Sequence, residues 1–152
     1  MTEKHHTVMV LIVTDETPRR ALMIESRKHQ RWMPPGGHQE SDENPLEAAI
    51  REVKEETGID IADYLPKPVV VDEMSSIIPL PSRLVEVRIP PRGSEPEHYH
   101  LDSLYIIHVS KPLKAKKNDA ELASIGWLSL DDMKDIFVPE DVRQVLRQEL
   151  IP

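Results

Sequence analysis

Between Gly36 and Ile59 the chain reads GGHQESDENPLEAAIREVKEETGI, and seven carboxylates crowd into it: Glu40, Asp42, Glu43, Glu47, Glu52, Glu55 and Glu56. Only Arg51 and Lys54 oppose them, with His38 ambiguous. On a helical wheel Glu52, Glu55 and Glu56 share an arc of roughly 100° within two turns. Oxygen-only donors gathered this way suit Mg2+ or Mn2+, which prefer carboxylates, carbonyls and water. The glycine pair Gly36–Gly37 lets a backbone carbonyl approach such an ion, because no side chain intervenes. An ion held there would activate water and neutralise charge on a phosphoanhydride. The run EVKEE by itself reads as a solvated helix face. The spacing of the remaining residues is what singles it out.

A helix must position these acids, and it is the best-specified element in the chain. Asn44 is a good N-cap, Pro45 suits the first helical position, and Glu47 completes a capping-box pattern. Gly58 is placed to end the helix in a left-handed conformation. Leu46, Ala49, Ile50, Val53 and Thr57 form one apolar stripe, which faces the core. Arg51 stands four residues from both Glu47 and Glu55, a spacing that allows ion pairs with each.

The fixed residues are Gly37, Glu43, Arg51-Glu52-Val53, Glu55-Glu56 and Gly58-Ile59. Together they resemble the Nudix box, GX5EX7REUXEEXGU with U aliphatic, at every fixed position. The lead-in WMPPGGHQESDE is similar to that family's W-x-x-PGG-x-x-E-x-x-E, with Asp42 where a glycine is usual. The resemblance implies an α/β fold: an α/β/α sandwich around a mixed β-sheet, with the box as a loop–helix–loop, over a single domain spanning 1–152. It implies Mg2+- or Mn2+-dependent hydrolysis of a nucleoside diphosphate linked to another moiety. Glu52, Glu55 and Glu56 become the metal ligands, and one of them doubles as the base. Glu43 lies beside the metal shell, Arg51 orients a glutamate, and a Gly36 or Gly37 carbonyl adds an oxygen. A further acid often precedes a late tryptophan in this family. Trp127 is that landmark, and Glu121 is the expected added ligand or base, with Asp119 and Glu97 as competitors. A late E-x5-W resembles the MutT-like members that cleave nucleoside triphosphates to monophosphate and pyrophosphate. The stretch EMSSII (73–78) has neither the proline of ADP-ribose specialists nor the tyrosine of dinucleoside polyphosphate specialists. Sugar nucleotides and capped RNA stay open. A domain that senses nucleotides without cleaving them usually has a degraded box, and this box is intact. A homodimer, common in the family, is also left open.

The rest of the chain supplies the frame. Residues 7–14 (TVMVLIVT) read as a buried strand, DETPRR as a turn and ALMIESR as a second strand, so the two suggest a hairpin. KHQRWMPPGGH reads as loop. Residues 69–74 and 83–89 read as strands, and YHLDSLYIIHVS as a long one. KPLKAKKNDAE reads as a mobile basic loop, IGWLSL as a strand, SLDDMKDI as a short helix capped by Ser129, and PEDVRQVLRQEL as the last helix.

Arg27, Lys28 and Arg31 precede the glycine pair and are candidates for meeting phosphates, with an ordinary basic loop equally open. His98, His100 and Asp102 alternate and so share one strand face. They suggest a second metal or phosphate-binding patch, contact with a substrate group, or the solvated face of a strand leaving a loop. Trp32 and Tyr105 could stack on a base, though packing is the commoner role. The chain has 152 residues, no cysteine and a net charge of −8. Disulfides and thiolate chemistry are therefore excluded. The charge argues against a broad nucleic-acid-binding surface, while a small phosphorylated ligand stays compatible through a bound cation. The apolar runs are too short to span a bilayer and the N-terminus has no apolar signal core, so a cytoplasmic location is expected.

Overall fold

A computed structural model describes residues 1–152. Nine strands and two helices follow one another. They are β1 (Lys4–Thr14), β2 (Ala21–Ser26), β3 (Trp32–Met33), β4 (Gly36–His38), α1 (Pro45–Thr57), β5 (Val69–Val70), β6 (Ser76–Ile77), β7 (Arg83–Ile89), β8 (His98–Val109), β9 (Leu122–Leu128) and α2 (Glu140–Leu150). The main sheet runs β3-β2-β1-β8-β7, with β4 also on β1 and β9 on β2. It is mixed: β1 and β8 are parallel from Lys4↔Tyr99 to Thr14↔Val109, and the other pairs are antiparallel.

Alternation along β1 builds both layers of core. Val8, Val10 and Ile12 point to one face, where Leu46, Ala49 and Val53 of α1 close over them. Leu11 and Val13 point to the other, against Val142, Val145 and Leu146 of α2. A central strand buried on both faces reads as a continuous apolar run, which is why MVLIV shows no polar alternation. The result is the expected α/β/α sandwich.

Several local expectations change. The suggested hairpin of the first two long strands survives only at its turn end, Val13↔Ala21, because β4 takes Thr7–Met9 of β1 while β8 holds the opposite edge. KHQRWMPPGGH is not all loop: it holds β3 and β4. Gly36 permits β4, since a Cβ there would collide with the Val8 carbonyl oxygen. The strand expected over 69–74 shrinks to Val69–Val70, because the side chain of Asp72 bonds Met74 N and Ser75 Oγ and turns the chain into β6. The segment after Ser129 forms turns, not a helix. Asp132 there accepts from both the backbone N–H and the hydroxyl of Ser129 at 2.8 Å, and Met133 N bonds Leu130 O three residues back. No helix is long and apolar enough to cross a membrane.

Candidate active site

α1 is built as its sequence demands. Asn44 accepts from Glu47 N at 3.0 Å while Glu47 accepts from Asn44 N at 2.9 Å, closing the capping box. Gly58 ends the helix at φ 72°. Glu47 is thereby used as a cap, so the expected Arg51–Glu47 pair does not form. Arg51 turns instead to the rest of the acids. Its guanidinium grips Glu43 with two nitrogens, and Nη1 reaches Glu52 at 3.0 Å and Glu55 at 3.2 Å. Nη2 also donates to the His38 carbonyl at 2.9 Å, which ties α1 to β4. This bonding holds the Glu43 carboxyl below its ordinary pKa, the Arg51 hydrogen bond being the main cause.

The other acids are strained by their neighbourhood. Glu56 is buried, and its Oε1 accepts from Gly36 N at 2.8 Å. Burial pushes its pKa up to about 8 against that hydrogen bond, and Glu52, Glu121 and Glu55 push in the same direction. Burial also raises Glu52, with Arg51 opposing and Glu55 and Glu121 adding to the shift. Gly37 makes room for Glu52: a Cβ at Gly37 would stand 2.5 Å from its Oε1. Glu52, Glu55, Glu56 and Glu121 thus repel one another, and Arg51 only partly offsets that repulsion. A hard dication suits both the donor chemistry and the charge.

Glu121 acts on Glu52 and Glu56 from a basic segment that is anchored to α1. Lys116 N donates to Thr57 O, Asn118 N to Glu56 O, and Asn118 Nδ2 to Glu55 O, at 2.8, 3.1 and 3.3 Å. The loop expected to be mobile and solvated is laced to the C-terminal end of α1. The competing acids lie elsewhere: Asp119 pairs with Lys117 at 3.1 Å, and Glu97 with Arg88.

Beside the acids lies a cleft of about 260 Å3. Glu56, Gly36, Gly37 and His38 form one end, and Thr7, Met9, His100 and Asp102 form the floor. Arg31 lines it, whereas Arg27 does not and instead donates Nε–H to the Asp119 carbonyl at 2.9 Å. The solvated-face reading of His98, His100 and Asp102 fails: His98 and Asp102 are buried. Thr7 Oγ1 donates to Asp102 Oδ1 at 2.9 Å. Burial nonetheless lifts Asp102 to about 6, and Asp141 adds to the rise. Burial lowers His100 to about 4, with His38, His98 and His5 contributing. His38 is lowered by the same causes. Tyr105 and Trp32 pack rather than present a stacking face, Tyr105 being buried with its hydroxyl on Pro79 O at 3.2 Å.

Thr7, His5, His38 and Asp141 were not singled out by sequence. The parallel β1–β8 register that assembles the floor joins residues about 95 apart, and no local pattern carries it.

The NUDIX domain family matches residues 3–148. The m7GpppN-mRNA hydrolase NUDT17 of Homo sapiens is 31% identical over 132 residues, 80% of this chain. The chain spans only 37% of that human protein's length. A Lactococcus lactis protein named "Probable DHNTP pyrophosphohydrolase" is 28% identical over 132 residues, 87% of this chain and 67% of its own length. Among solved structures, the E. coli dihydroneopterin triphosphate pyrophosphohydrolase superposes with a TM-score of 0.69 at 22% identity, covering 99% of both chains. An intact box on a capped helix, a mixed sheet between two helical layers and a family match over nearly the whole length agree: the chain belongs to the NUDIX domain family.

Proposed function

We propose that this chain hydrolyses a phosphoanhydride bond in a nucleoside triphosphate or a close analogue, releasing the monophosphate and pyrophosphate. The observation that supports it most is one continuous site: Glu56, Gly36 and Gly37 line the cleft, and Glu52, Glu55 and Glu121 are near enough to Glu56 to raise its pKa. Glu52, Glu55 and Glu56, with a glycine carbonyl of β4, would hold Mg2+ or Mn2+. When bound, that ion supplies charge neutralisation on the phosphates and a more acidic water. The chain's own residues do the rest. Arg51 fixes the carboxylates of Glu52 and Glu55 without reaching the cleft. Arg31 offers a cation to the phosphates from the cleft wall. Glu121 or Glu55 takes a proton as water oxygen bonds to phosphorus, and the P–O bond to the leaving pyrophosphate breaks. Asp102 offers an acceptor to an N–H of the base.

The Lactococcus relative favours the triphosphate reading by its name, since DHNTP is itself a triphosphate. The human relative favours a second reading, hydrolysis of a capped RNA end. A product-resolved assay separates them. Purified protein would be given nucleoside triphosphates (normal and oxidised), a dihydropterin triphosphate, ADP-ribose, sugar nucleotides, dinucleoside polyphosphates and capped RNA, each with Mg2+ and with EDTA. The proposal expects Mg2+-dependent monophosphate and pyrophosphate from a triphosphate. Release of 7-methyl-GDP from capped RNA with triphosphates untouched would replace it with the second reading. Tight nucleotide binding with no cleavage of any compound would make the chain a sensor.

A further inference from the structure

Beside the cleft stands a group of histidines that the carboxylate chemistry does not use, two of which, His38 and His100, line it. His5 is on β1, His38 on β4 and His98 and His100 on β8. The sheet itself assembles them. His5 pairs directly with His100 across the parallel β1–β8 ladder, and His38 pairs with Thr7, two residues along β1 from His5. Residues two apart on a strand share a face, and adjacent strands lie about 4.8 Å apart, so the three rings meet on one side of the sheet.

One ring nitrogen from each of His5, His38 and His100 lies within 4.8 Å of the other two. His38 Nε2 and His5 Nδ1 stand 3.3 Å apart. A tetrahedral ion with bonds of about 2.0–2.1 Å to nitrogen has ligand atoms roughly 3.3–3.4 Å from each other. One edge is already at that length; rotation of the exposed His38 shortens its edge to His100, and the His5–His100 edge closes by rotation of those two rings. Neighbouring groups also orient the rings. His5 Nε2 faces the Glu3 carboxylate at 3.3 Å, which leaves the Nδ1 lone pair directed at His38. His98 Nδ1 donates to the Pro96 carbonyl at 3.0 Å, so its Nε2 carries a lone pair and faces His100 Nε2 at 3.2 Å. Rings tethered through their outer nitrogen are how metal-binding imidazoles are usually held.

We propose that His5, His38 and His100 form a second metal site, separate from the glutamate cluster, that takes a borderline dication of the Zn2+ class. Three imidazoles select Zn2+, Co2+, Ni2+ or Cu2+ over Mg2+, whereas the all-oxygen cluster selects the reverse. Three protein ligands leave a fourth position for water or a substrate oxygen. Because His38 and His100 line the cleft that Glu56 also lines, the two ions would flank one ligand. His98 is a positioning residue for His100.

The test uses the full chain without any affinity tag, in excess Mg2+ so that the carboxylates are occupied. Zn2+ is measured by equilibrium dialysis and Co2+ by visible absorption. The expected result is about one retained Zn2+ and the intense absorption of four-coordinate Co2+. His5→Gln and His100→Gln should each abolish retention, and His98→Gln should weaken it about 10–100-fold. Glu52→Gln and His108→Gln should leave retention intact. Far-ultraviolet dichroism establishes that each variant is folded, and the Co2+ spectrum of the parent stands independently of all of them. Retention that survives His5→Gln and His100→Gln, retention lost in Glu52→Gln, or Co2+ that stays octahedral and unretained each overturns the proposal.

Discussion

Arg51 is the residue on which the acid cluster turns. It binds Glu43, Glu52 and Glu55 together, and a planar guanidinium is the group that can do so. Arg51→Lys keeps the charge and loses the fork. Turnover should fall about 10²-fold or more, as misplacement of catalytic groups commonly costs, while thermal unfolding moves little. An unchanged kcat would remove Arg51 from the account. Asp102 carries a different prediction. Its raised pKa means that the folded state prefers the protonated acid. The associated stability is present below the unfolded value of 3.8 and is lost as pH rises through about 6. The loss is on the order of 2–3 kcal/mol at most. In Asp102→Asn that loss should vanish, so urea midpoints of parent and variant diverge between pH 4 and 7. Parallel curves would show that Asp102 ionises normally. At this scale the meeting of Arg51 with Glu43, Glu52 and Glu55 was legible, because spacing on and just before one helix fixes their neighbours. For Glu47 the sequence offered both a cap and an ion pair, and the cap is what forms.

Among the elements, α1 was legible end to end because its signals are local: a cap, a proline, a stripe and a terminal glycine. Asn44→Ala should cost about 1 kcal/mol of stability through loss of the capping box. Gly58→Ala forces an L side chain to φ 72° and should cost about 1–2 kcal/mol. Chemical denaturation of both variants checks these values, and a neutral Gly58→Ala would show that the left-handed cap relaxes freely. β4 was not legible. Pro34-Pro35-Gly36-Gly37 carries every mark of a loop, yet the glycines let the chain lie against β1, and that contact places Gly36 N on Glu56. The segment after Ser129 misled for the opposite reason. Its apparent cap is real, but the Asp132 bonds close a turn and nothing propagates into a helix.

Over the whole molecule, the sandwich followed from β1 being apolar on both faces and from the resemblance around the box. The parallel union of β1 and β8 did not, because pairing between distant segments leaves no periodic trace. That union makes the cleft floor, brings Thr7 to Asp102 and gathers the histidines. It explains why the acids were legible in the sequence and the cleft floor was not. The chain's charge of −8 also gains a local meaning, since much of the helix acid is uncompensated beside the cleft. A dication should therefore stabilise the fold as well as serve the chemistry. Saturating Mn2+ should raise the melting temperature of the parent and leave Glu52→Gln and Glu56→Gln nearly unmoved. The most direct measurement is the Mg2+-dependent turnover of the parent against Glu56→Gln, both shown folded by thermal melting, on the best substrate of the panel. The account predicts loss of activity of about 10²–10⁴-fold in the variant, and silence of the parent in EDTA. A Glu56→Gln variant that turns over like the parent would contradict it.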